Sequence, residues 1–343
     1  MQNDGYRRFE KIATEKIPES PVVVVWNRAP FLPFYYGVKP IEFYLNSSIK
    51  LDLQTRIQNQ FPSAVVLPGI SADFGLITEA SAFGGEIKWL EHSAPHIFPA
   101  IKNTEQIDHL RLPDCRRDGL MPKALEEYEY IWRHIDKKMI QDYGYLEGSA
   151  YTVGPCETAG LVFGYDNLYT NLIDNPSRIH GLLNMITEMI VNWIRAQEKI
   201  NGTLKRLILV DHTSSQINSN MVEEFFMPYL KKVFDEFPKA LKLYHNEGNV
   251  DHIIGHLSSL GFNIFHFGID IDKAVRGFGD RCCLMGNIHP VETLLRGSRN
   301  DVRNACLKAL NAARGYPFLL SSGGGMAPNT PPENLEEMVN AVE

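Results

Sequence analysis

A histidine and a glutamate stand two positions apart at the end of an apolar, β-type segment. The segment, residues 243–249, reads LYHNEGN. Because side chains alternate along a strand, His245 and Glu247 share one face and lie roughly 7 Å apart. An imidazole and a carboxylate at the carboxyl end of a strand are ligands of the kind that bind zinc. The alternative is that both belong to the solvated face of an ordinary strand.

Further ligand types occur in the β-type segments that follow. His266 lies in the next segment, and the vicinal pair Cys282 and Cys283 begins the one after it. Glu247, His266 and Cys283 then stand on three consecutive strands. A carboxylate, an imidazole and a thiolate make a three-ligand zinc site with an open fourth position. Strand alternation favours Cys283 over Cys282 as the inward thiol. His245 is either a fourth candidate ligand or the residue that orients Glu247.

Three more polar side chains at strand ends are predicted to be catalytic. Asp73 follows the second β-type segment, Asp211 ends the fourth and Asn287 ends the seventh. Chemistry in an α/β barrel gathers at the carboxyl ends of the strands, so these side chains would meet the metal candidates. Structural alternatives stay open: Asp211 as a helix cap, and Cys283 as a small core residue.

Eight β-type segments position these residues. They are continuous apolar runs, which is typical of a parallel sheet buried on both faces. They cover residues 21–26, 64–68, 145–155, 207–212, 240–247, 262–267, 282–287 and 317–322. Amphipathic helical patterns separate them, as at 176–200. This alternation predicts a single (β/α)8 TIM barrel over residues 1–343 with an N-terminal extension. A doubly wound open sheet is less consistent, because no glycine-rich loop follows the first segment.

Composition narrows the class of partner. The chain has 343 residues, a formal charge of −7, 44% hydrophobic and 22% charged residues. That balance predicts a soluble globular protein with a large core and argues against nucleic acid or an anionic membrane as a partner. The N-terminus has no apolar signal core, which predicts a cytoplasmic protein. In that compartment the five cysteines of the chain are expected to be thiols.

Several motifs identify a family resemblance. They read MGNIHP at 285–290, LLRG at 294–297 and LSSGGGMAPNTPPENL at 320–335. With these motifs the chain resembles the uroporphyrinogen decarboxylase superfamily, which includes the corrinoid-linked methyltransferases. The resemblance covers nearly the whole chain and implies a (β/α)8 barrel.

The resemblance separates two chemistries. The decarboxylases carry a substrate-binding Arg where this chain has Pro30 and a His where it has Gly324; of their polar residues only Asp73 has a match. The methyltransferases carry His-x-Cys and a Cys in the last glycine loop as zinc ligands. This chain has His245-x-Glu247 and Gly324 at those positions. Its altered ligand set resembles the first methyltransferases of anaerobic O-demethylase systems.

The resemblance therefore implies a zinc-dependent methyltransferase. Its donor would be a methoxylated aromatic, and its acceptor the Co(I) corrinoid of a separate partner protein. Zinc with a carboxylate and a single thiolate is more Lewis-acidic than zinc with two thiolates, which suits an ether oxygen. The alternatives are a methylcorrinoid:thiol methyltransferase and a decarboxylase-like barrel without metal.

Overall fold

The computed structural model describes residues 3–16, 21–28 and 30–342. These residues contain ten strands and sixteen α-helices. Met1, Gln2, residues 17–20, Ala29 and Glu343 lie outside it. The strands are β1 Val22–Trp26, β2 Val65–Leu67, β3 Ile87–Lys88, β4 His96–Ile97, β5 Ser149–Val153, β6 Arg206–Val210, β7 Leu241–Asn246, β8 Ile264–Phe267, β9 Cys283–Ile288 and β10 Phe318–Ser322.

The α-helices alternate with these strands for most of the chain. They are α1 Asp4–Glu15, α2 Phe31–Tyr35, α3 Pro40–Leu45, α4 Ser47–Gln60, α5 Thr78–Ser81, α6 Met121–His134, α7 Lys137–Tyr143, α8 Pro155–Phe163, α9 Tyr165–Asp174, α10 Pro176–Asn201, α11 Ser219–Met221, α12 Met227–Glu236, α13 Ile254–Leu257, α14 Ile271–Phe278, α15 Arg299–Ala312 and α16 Pro332–Asn340. Two π-helical segments, Val222–Phe226 and Pro290–Leu295, lie before α12 and α15.

Eight strands form one parallel sheet in the order β2-β1-β10-β9-β8-β7-β6-β5. This confirms a parallel α/β sheet of eight strands, one from each predicted segment. β1 and β7 are four positions apart, which in a flat sheet is about 19 Å. Yet the rings of Trp26 on β1 and His245 on β7 stack with centroids 4.8 Å apart. The sheet must therefore curl, with these two side chains on its inner face.

Side chains join the two edge strands. No backbone ladder pairs β2 with β5 in the described residues. Instead the hydroxyl of Tyr145, just before β5, accepts a hydrogen bond from the Val66 N–H of β2 at 3.1 Å. The Arg28 guanidinium, two residues after β1, lies 3.7 Å from the ring centroid of Tyr151 on β5. The edges thus approach each other through packed side chains.

The N-terminal extension is the helix α1, whose Tyr6, Phe9 and Ile12 are buried. The antiparallel pair of β3 and β4 was not predicted, because strands of two residues carry no periodic signal. None of the described helices is long and apolar enough to cross a membrane.

Candidate active site

A cavity of ≈ 160 Å³ opens at the carboxyl ends of β1, β5, β6 and β7. A dry cavity of about 150 Å³ holds one benzene molecule, so this space suits a single six-membered ring. Its wall combines apolar and aromatic groups with a few convergent polar ones, as small-molecule sites do. The side chains that matter below are Trp26, Arg28, Tyr44, Tyr151, His212, His245 and Glu247.

His245 and His266 form a hydrogen-bonded pair inside the sheet. Their Nδ1 atoms are 2.8 Å apart, and His266 Nε2 lies 2.8 Å from the Ser322 carbonyl oxygen. A carbonyl only accepts, so His266 Nε2 carries the proton. Burial lowers the pKa of His266 to about 3 and the pKa of His245 far below its usual range, so both rings are neutral. His245 Nδ1 is then the donor, and its Nε2 carries a free lone pair.

His212 is held in the same tautomer by a different partner. Its Nδ1 lies 3.3 Å from Glu157 Oε2, which also accepts the His212 backbone N–H at 2.8 Å. The Tyr165 hydroxyl donates to the other oxygen of Glu157 at 2.6 Å. Burial opposes charge on this ring, but the Glu157 carboxylate raises the pKa of His212 overall. Nε2 of His212 is buried and has no hydrogen-bond partner among the described residues.

Glu247 takes the space above Gly324. Its Oε2 accepts the Gly325 N–H at 2.8 Å. A Cβ placed on Gly324 would lie only 2.8 Å from Cδ and 2.9 Å from Cβ of Glu247. The glycine loop after β10 and the carboxylate after β7 are thus fitted to each other.

A buried ion pair lies at the opposite wall. Arg28 Nη1 and Asp73 Oδ2 are 2.9 Å apart, with side chains 8% and 3% exposed. Asp73 also accepts the Gly75 N–H at 2.8 Å. Tyr44, which lines the cavity, keeps a buried hydroxyl without a partner in the described part of the chain. The one arginine on the wall is therefore already neutralised.

Asp211 and Asn287 are predicted to be catalytic, but both side chains form hydrogen bonds with backbone groups. Asp211 Oδ2 accepts the N–H groups of Cys156 and Glu157 in the first turn of α8, and Oδ1 accepts that of Thr213. Burial, together with the Glu157 charge, raises the pKa of Asp211 to about 7. Asn287 donates to the Ile269 carbonyl. Neither side chain lines the cavity. The helix-cap alternative for Asp211 matches these contacts.

The predicted zinc set is not brought together. Cys283 pairs with Ile264 at the start of its strand, while His266 pairs with Met285 two residues further on. Cys283 thus lies roughly 7 Å deeper along the strand than the His266 level. Burial raises the pKa of its thiol well above the usual value, which disfavours a thiolate. His266 has both ring nitrogens engaged. No three His, Cys, Asp or Glu side chains are grouped as a metal shell in residues 3–16, 21–28 and 30–342.

His245 and Glu247 do line one cavity, as their alternating positions predicted. Of the two histidines, His245 lines the cavity, whereas His266 does not line it and hydrogen-bonds to His245. His212 was missed as a ligand candidate. Its signal was its place directly after β6, beside Asp211, at the strand ends where barrel chemistry gathers.

These features define an α/β barrel-type protein with a small-molecule cavity at the carboxyl ends of its strands. The chain belongs to the uroporphyrinogen decarboxylase (URO-D) family, whose profile matches residues 12–343. The uroporphyrinogen decarboxylase of Chlorobaculum parvum is 25% identical over 363 residues, covering 100% of this chain and 98% of its own. The methylcobamide:CoM methyltransferase MtbA of Methanosarcina mazei is 26% identical over 284 residues, covering 80% and 79%.

The solved structures agree on the fold. A methyltransferase from Methanosarcina mazei superposes with a TM-score of 0.80 at 20% identity and covers 98% of both chains. A B12-independent methionine synthase from Shewanella superposes with a TM-score of 0.57 at 11% identity, covering 95% of this chain and 96% of its own. These likenesses support a barrel-type fold for the whole chain.

Proposed function

We propose that this chain is a methyltransferase that moves a methyl group from a small methoxylated aromatic to the Co(I) corrinoid of a separate protein. The observation that carries the proposal is the pairing of His245 and Glu247 on the wall of a cavity that fits one aromatic ring. A relative of similar length, named methylcobamide:CoM methyltransferase, supports methyl transfer as the reaction class.

The cavity argues against decarboxylation of a tetrapyrrole. A macrocycle with many carboxylates needs several cations, and Arg28 is the one Lys or Arg side chain on the described wall. Its charge is already paired with Asp73. A volume of ≈ 160 Å³ is also far below what a four-ring substrate occupies.

Zinc would be held at the His245 and Glu247 end of the cavity. The free lone pair on His245 Nε2 and the carboxylate of Glu247 are donors that zinc accepts, so this pair fits the metal where the predicted Cys283 and His266 do not. When bound, zinc supplies Lewis acidity that lowers the basicity of a departing phenolate oxygen.

The chain's own residues select and orient the donor. Leu76, Ala94 and Val210 give the cavity an apolar wall that excludes water around the ring. Trp26 stacks on His245 and keeps that imidazole in place. The Tyr44 hydroxyl is available to a polar ring substituent. In the transfer step the ether C–O bond breaks with its electron pair on the oxygen, Co(I) supplies the pair for the new carbon–cobalt bond and becomes Co(III), and the phenolate takes a proton from bulk water after its release.

The corrinoid is a substrate presented from outside. Its macrocycle is much larger than a cavity of ≈ 160 Å³, so only the reactive face can approach the mouth. We therefore expect no corrinoid in the purified protein and a transient complex with the corrinoid protein.

The test is a methyl-transfer assay with a reduced corrinoid protein. Methoxylated aromatics, methanol, methylamines and thiols are compared as partners, and methylcobalamin formation is followed by absorbance. Transfer from the methoxylated aromatics alone supports the proposal. Release of CO2 from uroporphyrinogen without methyl transfer would assign the chain to the decarboxylases instead.

A further inference from the structure

We propose that His212 is a metal ligand, which together with His245 and Glu247 forms a divalent transition-metal site without sulfur, and that Glu157 and His266 are positioning residues that keep both imidazoles in the binding tautomer. The inference rests on the proposed function for the use of the metal. Its test measures metal binding without any methyl donor or corrinoid, so the two can fail separately.

The free atom of His212 is the first argument. Glu157 is the acceptor beside Nδ1, so the hydrogen on Nδ1 points to that carboxylate, and Nε2 is the atom on which a metal would take the place of a second proton. That nitrogen is buried and has no hydrogen-bond partner among the described residues. The His212 side chain lines the cavity and is 19% exposed. Buried polar atoms are nearly always satisfied, so this acceptor on the cavity wall is open to a ligand.

The second argument is that His245 is prepared in the same way by an independent chain of contacts. The Ser322 carbonyl orders the protons of His266, and His266 in turn fixes the proton of His245 on Nδ1. At an Nδ1 to Nδ1 distance of 2.8 Å there is room for one proton and not two. Two separate supports thus engage Nδ1 of two histidines that line the cavity, and Nε2 is the ring nitrogen left for a ligand.

The third argument is the placement of the two rings. The centroids of His212 and His245 are 5.1 Å apart and the planes are perpendicular. With the Glu247 carboxylate this end of the cavity offers two nitrogen acceptors and one anion. Acceptor atoms grouped on one wall favour the binding of a cation, and imidazole with carboxylate suits Zn²⁺ or Co²⁺. Oriented imidazoles whose far nitrogen is hydrogen-bonded are the usual support of such ligands.

The position of Glu247 sets one condition. The described residues contain no group of three His, Cys, Asp or Glu side chains already arranged around a metal position. Glu247 Oε2 instead accepts the Gly325 N–H. Binding must therefore draw the carboxylate towards the imidazoles. Gly324 cannot supply a ligand, which makes His212 the candidate for the third position.

The experiment is titration of the full-length protein with Co²⁺ and Zn²⁺, followed by calorimetry and visible absorption. We expect one metal per chain, d–d bands of a nitrogen and oxygen site, and no intense thiolate-to-cobalt band. His212→Ala and His245→Ala should each weaken binding at least tenfold. Glu157→Gln and His266→Leu should weaken it about 10–100-fold. His109→Ala, on an exposed histidine, is the matched control.

Long-range ¹H–¹⁵N spectra of the histidine rings test the positioning role. His245 and His212 should carry their proton on Nδ1, and in His266→Leu the His245 proton should move to Nε2. Circular dichroism identifies variants that fail to fold. Unchanged Co²⁺ affinity in folded His212→Ala, no metal binding by the wild type, or a thiolate band that disappears in Cys283→Ser would each overturn the proposal.

Discussion

The Glu247 carboxylate and the bare Cα of Gly324 occupy adjoining space, so a side chain cannot be added at 324 while Glu247 keeps its position. A Cβ at 324 would lie 2.8 Å from Cδ of Glu247, well inside a normal contact. The methyltransferases that the chain resembles carry cysteines at both positions. Exchange of one thiolate for a longer carboxylate therefore goes together with loss of the other side chain. This relationship explains why the ligand set departs from that pattern at two places at once.

Gly324→Cys alone should destabilise the protein by about 1–3 kcal/mol, because the new side chain must displace the Glu247 carboxylate and sit at a φ of +157° that side chains rarely adopt. Denaturant unfolding measures the change. The matched control is Gly181→Cys in α10, where an added Cβ meets nothing within 4 Å. An equal loss in both variants would show that overlap with Glu247 is not the cause.

The double variant Glu247→Cys/Gly324→Cys should regain part of the stability that Gly324→Cys loses, because the shorter side chain at 247 frees the space, while the strain of a side chain at a φ of +157° stays. Two thiolates then stand beside His245, and Co²⁺ should acquire an intense thiolate charge-transfer band that the wild type lacks. Thiol reactivity of the metal-free form controls for disulfide formation. A double variant no more stable than the single one contradicts this expectation.

Asp73→Ala should cost about 3–5 kcal/mol of folding free energy, since it leaves the buried Arg28 guanidinium without its counter-ion. Asp4→Ala, which breaks exposed pairs with Arg7 and Arg8, should cost no more than about 1 kcal/mol. Thermal and denaturant unfolding of both variants give the comparison. If Asp73→Ala keeps full stability and loses only turnover, Asp73 is a catalytic residue and not a structural partner.

The strands were predictable because their cores are continuous apolar runs. The segments 21–26 and 317–322 contain β1 and β10, and 207–212 covers all of β6 except Arg206. A long apolar stripe likewise predicted the helix at 176–200, and α10 spans Pro176–Asn201. Helical segments that depend on tertiary contacts are harder to predict: between β7 and β8 the structure has only a short 3₁₀ turn and the four residues of α13.

The site was only half predictable, because alternation tells which residues share a face and not which ring nitrogen is free. His245 and Glu247 followed from spacing alone. The proton arrangement of the His245–His266 pair depends on the Ser322 carbonyl, which accepts from His266 and is distant in sequence. Cys283 failed for a similar reason: its inward direction was plausible, but its depth in the sheet follows from the register with Ile264.

The cysteines should resist modification in the native protein over a wide pH range. Burial raises the pKa of Cys115 to about 11 and the pKa of Cys282 and Cys306 to about 12. The folded state therefore keeps these thiols neutral at high pH values at which an unfolded chain ionises them. The buried thiols favour folding below pH 9, and this contribution is lost as the pH rises towards 12. Reaction with a disulfide reagent should be slow at pH 8 and reach five thiols after denaturation. Fast native labelling would show that a thiol is exposed.

Ala94→Phe should remove the aryl methyl ether activity while leaving the fold intact. Ala94 lines the cavity, is only partly buried, and precedes β4 at the mouth. A ring at this position would fill much of a space of ≈ 160 Å³, so the specificity constant for methoxylated aromatics should fall about 10–200-fold. Methanol, being small, should lose less, and metal affinity should not change, because Ala94 is not among the proposed ligands. Lys88→Phe puts the same ring on the exposed side of β3 and should leave both activities near wild type. The cavity would not be the donor site if Ala94→Phe transferred methyl groups from aromatics at the wild-type rate.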